Sequence, residues 1–494
     1  MLPLQKKNFA LLRTVFSFQA MLLVFLLVLV WILASGNGTD PDLWWHLRYA
    51  DDLAQTHQPA QFDTYSFTVA GRERANHEWL APIPYYLGWR AGGVLGVEIV
   101  RLVLLESIVL ALLYHSYLSS GNFKASVFAC GICSFLLTVS FGPRMILLGY
   151  LCLIILLIIL ERFRQNGRGS LWLMPPLFCF WANTHGSWLL GFMVFGIIGA
   201  AGLIEGRWGQ IESRRWTAQQ LRKLVAAGAA SVAVLFINPF GWKLVAYAVQ
   251  YRSKMKLPLD HIQEYLSVDF HSKHGLIALL LVIGLFLFVL VDNRSWRLAD
   301  VGLLLLAVYL GLSYVRFLVV VAIVSAPILA KALDFMPPYD RDADKPILNA
   351  VMMSLGILFV VRAFPFPTEA AFERDLAKEY PVEILPYLRT HPPTGRVLNY
   401  FGWGGYLMWY LPEWKVFVDS RVDVFEEAGV FADYLQLLGV QDPQSILDKY
   451  KIQYVLFPKD EKLTYVLEHD PHWKVNYRDS LSVLFEKTAP LTVQ

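Results

Sequence analysis

Apolar runs long enough to cross a membrane recur along the first 363 residues, and they constrain the fold more than any other feature. A spanning helix needs about 20 mostly apolar residues. Eleven runs meet or approach this length, at 15–35, 94–116, 124–142, 145–161, 171–184, 187–205, 223–239, 275–291, 298–314, 317–334 and 347–363. Of the 494 residues, 56% are hydrophobic and 17% are charged, whereas soluble domains are about 25% charged. The sequence therefore predicts a mainly α, polytopic membrane bundle of about 11 spanning helices.

Basic residues in the short loops predict the orientation of this bundle. With the N-terminus inside, the inner segments contain Lys6, Lys7, Arg13, Lys124, Arg162, Arg164, Arg168, Arg207, Arg214, Arg215, Arg222, Lys223, Arg294, Arg297, Lys331, Arg341 and Lys345. The short outer turns contain almost no cations besides Arg144 and Arg316. This is the positive-inside pattern. We expect a cytoplasmic N-terminus and, after an odd number of crossings, an extracytoplasmic C-terminus.

Charge and cysteine placement exclude several other classes. The net charge of +3 gives no support for nucleic-acid binding. Cys130, Cys133, Cys152 and Cys179 all lie in apolar runs, so we interpret them as buried residues rather than a metal or redox site. The sequence contains no phosphate-binding loop, dinucleotide fingerprint or nucleophile elbow, so nucleotide-driven transport and serine hydrolysis are unsupported.

Polar residues concentrate on the predicted outer side. We expect a transmembrane domain at 1–363, whose first outer loop spans 36–93, and a soluble extracytoplasmic α/β domain at 364–494. A smaller outer segment covers 240–274. In the tail, residues 415–419, 453–458 and 482–486 are predicted strands, and 443–450 is a predicted helix.

The first outer loop begins with a dense polar segment, in which Asp40, Asp42, His46 and Arg48 lie within nine residues. One interpretation is structural: Asp42 caps an interfacial helix whose tryptophans anchor at the membrane surface. The other is a paired-carboxylate site, acting as a base or as ligands for a hard divalent cation. The motif alone does not decide between them.

Further polar clusters occur at other predicted outer turns. They contain His77 and Glu78, Asn183 and His185, and the two arginines Arg144 and Arg316. Each has an ordinary explanation, since arginines snorkel to lipid headgroups and a histidine can cap a turn. Their shared predicted depth favours a common polar cavity, in which the arginines hold a phosphate or diphosphate.

The tail contains Gly402-Trp-Gly-Gly-Tyr-Leu407, followed by Asp419-Ser-Arg421. The glycines permit a tight turn or a close backbone approach beside the aromatic rings of Trp403 and Tyr406. These rings could stack on a sugar. The alternative is an ordinary turn before a strand, with a local pair between Asp419 and Arg421.

With these segments in view, the chain resembles GT-C integral-membrane glycosyltransferases over essentially its whole length. The segments DPDLWWHLR (40–48), DTYSFT (63–68), NHEW (76–79), GGYL (404–407) and DSR (419–421) are similar to those of a largely uncharacterised bacterial group. The resemblance implies a bacterial inner-membrane enzyme of the cell envelope that moves a sugar from a polyprenyl-phosphate donor to a lipid, glycan or protein acceptor on the outer face.

The same resemblance implies roles for individual residues. Asp42, or else Asp40, is the general base, with His46 beside it. Arg144 and Arg316 hold the leaving phosphate. The residues expected to bind substrate are Arg48, His77, Glu78, Asn183, His185, Trp403, Tyr406, Asp419 and Arg421. A divalent ion such as Mg²⁺ or Mn²⁺ stays an open option, with Asp40, Asp42, His46 and Glu78 as its potential ligands.

Two other functions are compatible with the residues. One is the transfer of a whole glycan from a polyprenyl-diphosphate carrier, since two arginines suit a diphosphate equally well. The other is a non-enzymatic lipid-glycan flippase. The inner loops show no acid or histidine cluster to match the outer ones, and this one-sidedness favours an enzyme.

Overall fold

The computed structural model describes residues 13–36, 39–167, 170–254, 257, 261–291, 294–342 and 344–488. The predicted inner cations Lys6, Lys7 and Arg168 lie outside them. The chain forms two compact units. We call them the helical unit (Met1–Asn37, Ile99–Asn238 and Ile262–Phe366) and the mixed unit (Gly38–Glu98, Pro239–His261 and Pro367–Gln494). The mixed unit thus combines the first loop, part of the 240–274 segment and the tail, whereas the sequence placed a single boundary after residue 363.

The described helices and strands are as follows. The α-helices are α1 (Phe18–Ala34), α2 (Pro41–Thr56), α3 (Ile83–Ser120), α4 (Phe123–Leu137), α5 (Ile146–Asn166), α6 (Met174–Thr184), α7 (Trp188–Ala201), α8 (Ala218–Ala233), α9 (Trp242–Lys254), α10 (Lys273–Val291), α11 (Leu298–Ser313), α12 (Leu318–Ala332), α13 (Pro346–Ala363), α14 (Glu369–Leu376), α15 (Leu385–Thr390), α16 (Gly404–Tyr410), α17 (Val422–Glu427), α18 (Val430–Leu438), α19 (Pro443–Lys449) and α20 (Lys462–Glu468). Short 3-10 turns cover Thr138–Ser140, Leu171–Leu173, Val234–Phe236, Gln263–Tyr265, Val315–Phe317 and Phe401–Trp403. The strands are β1 (Gly206–Trp208), β2 (Ile211–Ser213), β3 (Trp296–Arg297), β4 (Arg396–Asn399), β5 (Ile452–Pro458), β6 (Trp473–Arg478) and β7 (Ser482–Lys487).

All eleven predicted apolar runs fall on helices. Within the described residues, five helical segments are long and apolar enough to cross a membrane, at Phe123–Ser140, Ile146–Asn166, Lys273–Val291, Val315–Ala332 and Pro346–Ala363. Three shorter apolar helices are Phe18–Ala34, Trp188–Ala201 and Leu298–Ser313. The helices confirm the predicted secondary structure, while the number and direction of the crossings stay predictions.

Burial separates core helices from peripheral ones in the helical unit. In α12, residues 318–328 are all buried, and this helix packs against α4 and α11. By contrast, α13 buries only Asn349 and Val360 and leaves apolar side chains exposed along its length. A helix that is apolar all round suits a protein core or a lipid environment, so this pattern agrees with a bundle in lipid.

A four-stranded sheet organises the mixed unit. Its order is β4-β5-β7-β6, with β4 and β5 parallel and the other pairs antiparallel. The predicted strands at 453–458 and 482–486 are confirmed as β5 and β7, and the helix at 443–450 is confirmed as α19.

The predicted strand at 415–419 is wrong. Only Val416 makes a bridge, to Ser66. Side chains take the backbone groups of this buried segment: Asn399 accepts from Phe417 N at 2.7 Å and donates to Val418 O at 2.8 Å. Val416 exchanges backbone bonds with Tyr65 and Phe67 of the first loop. Thr68 donates to Phe417 O, so single contacts from Asn399 and the first loop satisfy the segment in place of a strand ladder.

Candidate functional site

The N-terminus of α2 sets the geometry of the predicted acidic motif. The cap is Asp40 rather than Asp42: the Asp40 carboxylate accepts a hydrogen bond from Asp42 N at 3.0 Å. Pro41 takes the first helical position, where its fixed φ is favourable and no N–H is needed. The Asp40 side chain is buried, with 4% of its surface exposed, whereas Asp42 is exposed to solvent.

Asp42 combines solvent access with a strongly shifted acidity. The surrounding protein displaces much of the water that an isolated carboxylate would have. This desolvation, and then the negative charges of Asp40 and Glu78, raise the pKa of Asp42 to about 7. Ser420 and the Trp45 indole, which donates to Asp42 at 3.1 Å, limit the shift. A carboxyl with a pKa near neutrality can accept a proton and release it again.

His46 lies one turn further along α2 and is buried. Its ring stacks on Trp45 with centroids 3.6 Å apart, and its Nε2 lies 3.4 Å from Glu78 Oε2. Desolvation by burial, with a contribution from the cation Arg74, lowers the pKa of His46 despite the opposing charge of Glu78. The imidazole is therefore neutral at pH 7 and orients Glu78 through a hydrogen bond.

His77 and Arg74 lie beside the group formed by Asp42, His46 and Glu78, whereas Arg48 does not. His77 stacks on Tyr247 with centroids 4.7 Å apart, and its Nε2 is 3.9 Å from Glu78. Arg74 lies over the Trp45 ring at 4.9 Å and 3.5 Å from Asp423. Arg48 pairs with Asp52 at 2.9 Å, one helical turn along α2. The mixed unit thus brings together Asp40, Asp42, His46, His77 and Glu78.

The glycine pair of the tail motif serves a close approach of α16. A Cβ on Gly405 would lie 3.0 Å from Pro41 O and 3.3 Å from Trp45 N, against the first turn of α2. A Cβ on Gly404 would lie 2.2 Å from Val418 O. The two glycines therefore let α16 pack against the helix that presents Asp42 and against the Asp419–Arg421 segment.

We expect Gly405→Val to push α2 away from α16, and so to lower both transfer and stability, by about 1–3 kcal/mol of unfolding free energy. Thermal unfolding of purified protein would measure this. Gly402→Val is the matched control, because the nearest atom to its Cβ would be 3.5 Å away on the Tyr400 ring. Equal melting temperatures for the two variants would contradict the packing role.

Trp403 and Tyr406 lie in the core of the mixed unit. Trp403 donates its indole N–H to Glu379 O at 2.8 Å. Tyr406 is 1% exposed and contacts Trp44 and Tyr380, with centroids 5.5 and 5.2 Å apart. Both rings are enclosed by other aromatic side chains, so this arrangement favours packing over stacking on a sugar.

Asp419 and Arg421 form a buried ion triad with Asp63. Arg421 donates Nε at 2.7 Å and Nη2 at 2.5 Å to Asp419, and Nη1 at 2.5 Å to Asp63. Burial opposes ionisation of Asp63, but Arg421 and the Ser66 hydrogen bonds outweigh it and lower the pKa of Asp63. The triad joins the first loop to the tail inside one unit.

The two predicted phosphate-binding arginines both lie beside the short turn Gln263–Tyr265 in the helical unit. Arg144 pairs with Glu264. Arg316 lies over the Tyr265 ring at 4.9 Å, and its backbone carbonyl accepts from Tyr150 at 3.3 Å. Burial opposes ionisation of Glu264, but the charges of Arg144 and Arg316 lower its pKa. Both arginines therefore act on the charge of one carboxylate, which Arg144 contacts directly.

Asn183 and His185 follow one another at the end of α6, in the helical unit. Asn183 donates to Cys179 O at 2.8 Å and to Ile237 O at 2.9 Å. His185 Nδ1 accepts from Ser187 N at 3.0 Å. Asn183 therefore ties the end of α6 to the segment after α8, and His185 holds the turn between α6 and α7.

The predicted metal ligands do not form a metal site in the part of the chain that the structure describes. No group of three or more histidine, cysteine, aspartate or glutamate side chains there could hold an ion. An oxygen of Asp40 caps α2, and Glu78 is directed to His46. These residues do not fit a resident cation.

Solved structures show what this architecture is similar to. The chain superimposes on ArnT from Cupriavidus metallidurans bound to undecaprenyl phosphate, with a TM-score of 0.53 and 13% identity over 95% of this chain and 98% of that one. It also superimposes on the oligosaccharyltransferase of Archaeoglobus fulgidus in its apo form, with a TM-score of 0.50 and 11% identity over 89% and 69% of the chains. The same archaeal protein, AglB, in complex with an inhibitory peptide and a dolichol-phosphate gives 0.50 and 12% over the same shares. The chain therefore has a fold similar to that of these structures, as the resemblance to GT-C enzymes predicted. No protein-family model and no curated protein matches the sequence.

Sequence reasoning missed several residues of these clusters. Arg74, Glu264 and Tyr265 were not predicted, and Asp63 was quoted only within a motif. Arg74 lies two residues before Asn76, within a polar stretch, and this position was the one available signal. Glu264 and Tyr265 lie in an unremarked polar segment whose partners are far away in sequence.

Proposed function

We propose that the protein is a membrane glycosyltransferase that moves a sugar from a polyprenyl-phosphate donor to an acceptor hydroxyl on the outer face of a bacterial inner membrane. The observation that carries this proposal is Asp42: a solvent-open carboxyl with a pKa near 7, at the first turn of α2, in a chain with a GT-C fold. Two of the similar structures hold undecaprenyl phosphate and dolichol-phosphate, which supports a polyprenyl carrier.

Asp42 acts as the general base. The acceptor oxygen forms a bond to the anomeric carbon of the sugar while the bond from that carbon to the phosphate oxygen breaks. The carrier phosphate leaves with the electron pair, and the hydroxyl proton passes to Asp42. Trp45 holds the carboxylate through its indole N–H, and Asp40 fixes the helix turn that presents it.

Arg144 and Arg316 bind the carrier phosphate. Guanidinium groups stabilise the charge that develops on a departing phosphate. The charges of both arginines already lower the pKa of one carboxyl, that of Glu264, and this supports a preference for an anion beside them. His77 and Glu78 are proposed to line the sugar site, with the neutral His46 orienting Glu78. Asn183 and His185 lie in the helical unit, and their part in sugar binding stays a prediction from the sequence.

The burial of Trp403, Tyr406, Asp419 and Arg421 favours support for α2 over contact with substrate. Arg48, paired with Asp52, is likewise proposed to stabilise the helix. No step is assigned to a metal ion, since the carboxylates do not form a cation site.

The test is a donor panel. Purified protein is incubated with polyprenyl-monophosphate sugars and, separately, with a polyprenyl-diphosphate glycan, and the released carrier is identified by mass spectrometry. Release of a monophosphate carrier after single-sugar transfer supports the proposal. Release only from the diphosphate donor, with a long product, would replace it with whole-glycan transfer.

The pH dependence of transfer follows from the shifted acidity. Only the ionised Asp42 accepts a proton, so the rate should rise about tenfold per pH unit below its pKa and level off above about 7. Initial rates of carrier release between pH 5 and 9 measure this. A rate that is independent of pH across this range would contradict Asp42 as the base.

A further inference from the structure

Arg74 of the first loop is a buried cation beside the site, and the proposed reaction gives it no role. Its side chain is 9% exposed, and its Nε lies 3.5 Å from a carboxylate oxygen of Asp423. A guanidinium that has lost its water is costly unless neighbouring groups compensate for its charge. Because it is planar, it can use the face of an aromatic ring as a second partner.

That second partner is Trp45 of α2. The guanidinium carbon of Arg74 lies 4.9 Å from the centre of the Trp45 ring. Tryptophan makes the strongest cation–π contact of the aromatic residues, and removal of water strengthens the contact further. Trp45 is 3% exposed, so both partners are shielded from solvent. Arg74 therefore stabilises one orientation of the Trp45 ring.

Trp45 transmits this constraint to Asp42. Its indole N–H donates to Asp42 Oδ1 at 3.1 Å. The indole nitrogen has a single hydrogen, which lies in the plane of the ring, so the ring orientation sets the direction of the hydrogen bond. A cation over the ring also draws electron density from the indole and makes its N–H a better donor. Arg74 thus reaches the Asp42 carboxylate through an intermediate ring.

Both ends of Arg74 are held within the mixed unit. Its backbone N–H donates to Gln61 O at 2.8 Å in the first loop. Its guanidinium pairs with Asp423, which lies in the first turn of α17 and two residues after Arg421 of the buried triad. The Asp423 side chain is 12% exposed, so water screens this pair only weakly. The tail therefore fixes the cation that lies over Trp45.

We propose that Arg74 is a positioning residue that orients the Trp45 indole, and through it the Asp42 carboxylate, toward the acceptor hydroxyl. Asp423 holds Arg74 in place for this role. The inference rests on the proposed function of Asp42 as the general base. Since the Arg74 side chain is enclosed by the protein, its loss should lower kcat and leave the KM values for donor and acceptor nearly unchanged.

Transfer kinetics of the full-length protein in nanodiscs test the route from Arg74 to Asp42. We expect Arg74→Met to lower kcat about tenfold, as for a weakened hydrogen bond to a charged group, and to change KM less than about twofold. Arg74→Lys keeps a cation near the ring and should recover part of the rate. Trp45→Phe should lower kcat by a similar factor, and adding Arg74→Met to it should cost nothing further.

Arg72→Met is the matched control for these variants. Arg72 lies two positions before Arg74 in the same loop and pairs with Glu427, the last residue of α17. The control therefore removes an arginine that joins the same loop to the same helix but is paired with another carboxylate. It should transfer at the wild-type rate.

Hydrogen exchange of indole protons gives a second readout that needs no donor. In protein with isotope-labelled tryptophan, the signals of Trp45 and Trp403 are assigned by their absence in Trp45→Phe and Trp403→Phe. Arg74→Met and Asp423→Asn should each speed exchange of the Trp45 proton about tenfold. The Trp403 proton, which is donated to Glu379 O in the same unit, should exchange as in the wild type. Faster exchange of both protons would indicate general loosening of the unit and contradict a local role.

The outcomes separate this inference from the proposed function. A local change in Trp45 exchange, together with kcat losses that do not multiply, supports the positioning role. Losses that multiply in the Arg74→Met, Trp45→Phe double variant would overturn it, because Arg74 would then act by another route, such as its charge near His46. Unchanged Trp45 exchange in Arg74→Met and Asp423→Asn would overturn it too. A wild type that transfers from no donor, while Trp45 exchange responds locally, would contradict the proposed function and still support the orientation of the indole by Arg74.

Discussion

Replacing Arg421 with leucine lowers the free energy of unfolding of the mixed unit by about 3–5 kcal/mol, because it leaves two buried carboxylates without their cation. Asp63 and Asp419 are each completely buried at their side chains, and Arg421 supplies hydrogen bonds to both. Chemical unfolding of the purified protein, followed by tryptophan fluorescence, measures the loss.

The control for this prediction is Arg478→Leu. Arg478 is 47% exposed at its side chain and pairs with Glu468, so its loss should cost less than about 1 kcal/mol. Arg421→Lys keeps the charge but not the paired hydrogen bonds, and it should fall between the two. An Arg421→Leu protein as stable as Arg478→Leu would show that the triad does not join the first loop to the tail.

Replacing Asp42 with asparagine reduces transfer by about 10²–10⁴-fold, the range for loss of a positioned general base. Asparagine has nearly the same shape and can still meet Trp45, so the geometry of α2 is preserved. Initial rates of carrier release at pH 8, per mole of folded protein, measure the effect. Asp375→Asn, an exposed carboxylate of the tail, is the matched control and should transfer at the wild-type rate.

Stability separates a catalytic loss from misfolding in this variant. The pKa of Asp42 is raised in the folded protein above its ordinary value of 3.8, so the folded state holds this proton more tightly than the unfolded state. As the pH rises from about 4 to 7, the wild type therefore loses stability at this position. Asp42→Asn removes that loss and should be at least as stable at pH 8. A folded variant with full activity would contradict the role of Asp42.

The helices could be predicted because their signal is local. An apolar run of about 20 residues specifies a helix in lipid wherever its neighbours lie, and all eleven runs are helical in the structure. The strands β5 and β7 were predicted from equally local sequence patterns. The segment 415–419 has a similar apolar composition, but Asn399 forms hydrogen bonds to its backbone where a neighbouring strand would. The composition of a segment does not indicate that a distant side chain will take this role.

The candidate site could be predicted only where its parts are adjacent in sequence. Asp40, Asp42 and His46 share one helix start, but which acid caps that helix depended on Pro41. Arg144 and Glu264 are 120 positions apart, and Asp63 and Arg421 are 358 apart. Pairs this distant form only when the chain folds, and sequence spacing does not indicate them. The ion pairs of Arg164 with Asp300 and of Arg297 with Glu161, each 136 positions apart, were missed for the same reason.

The measurement that tests the central claim most directly is made in sealed proteoliposomes loaded with a polyprenyl-phosphate sugar and an acceptor mixture. After incubation, mass spectrometry counts sugar-free carrier, and a membrane-impermeant oxidant reports the leaflet of the intact donor. A transferase produces sugar-free polyprenyl phosphate with the wild-type protein and at least 100-fold less with Asp42→Asn, in the range for loss of a general base. Intact donor that changes leaflet while its sugar–phosphate bond survives, equally in both proteins, would contradict an enzyme and indicate a flippase.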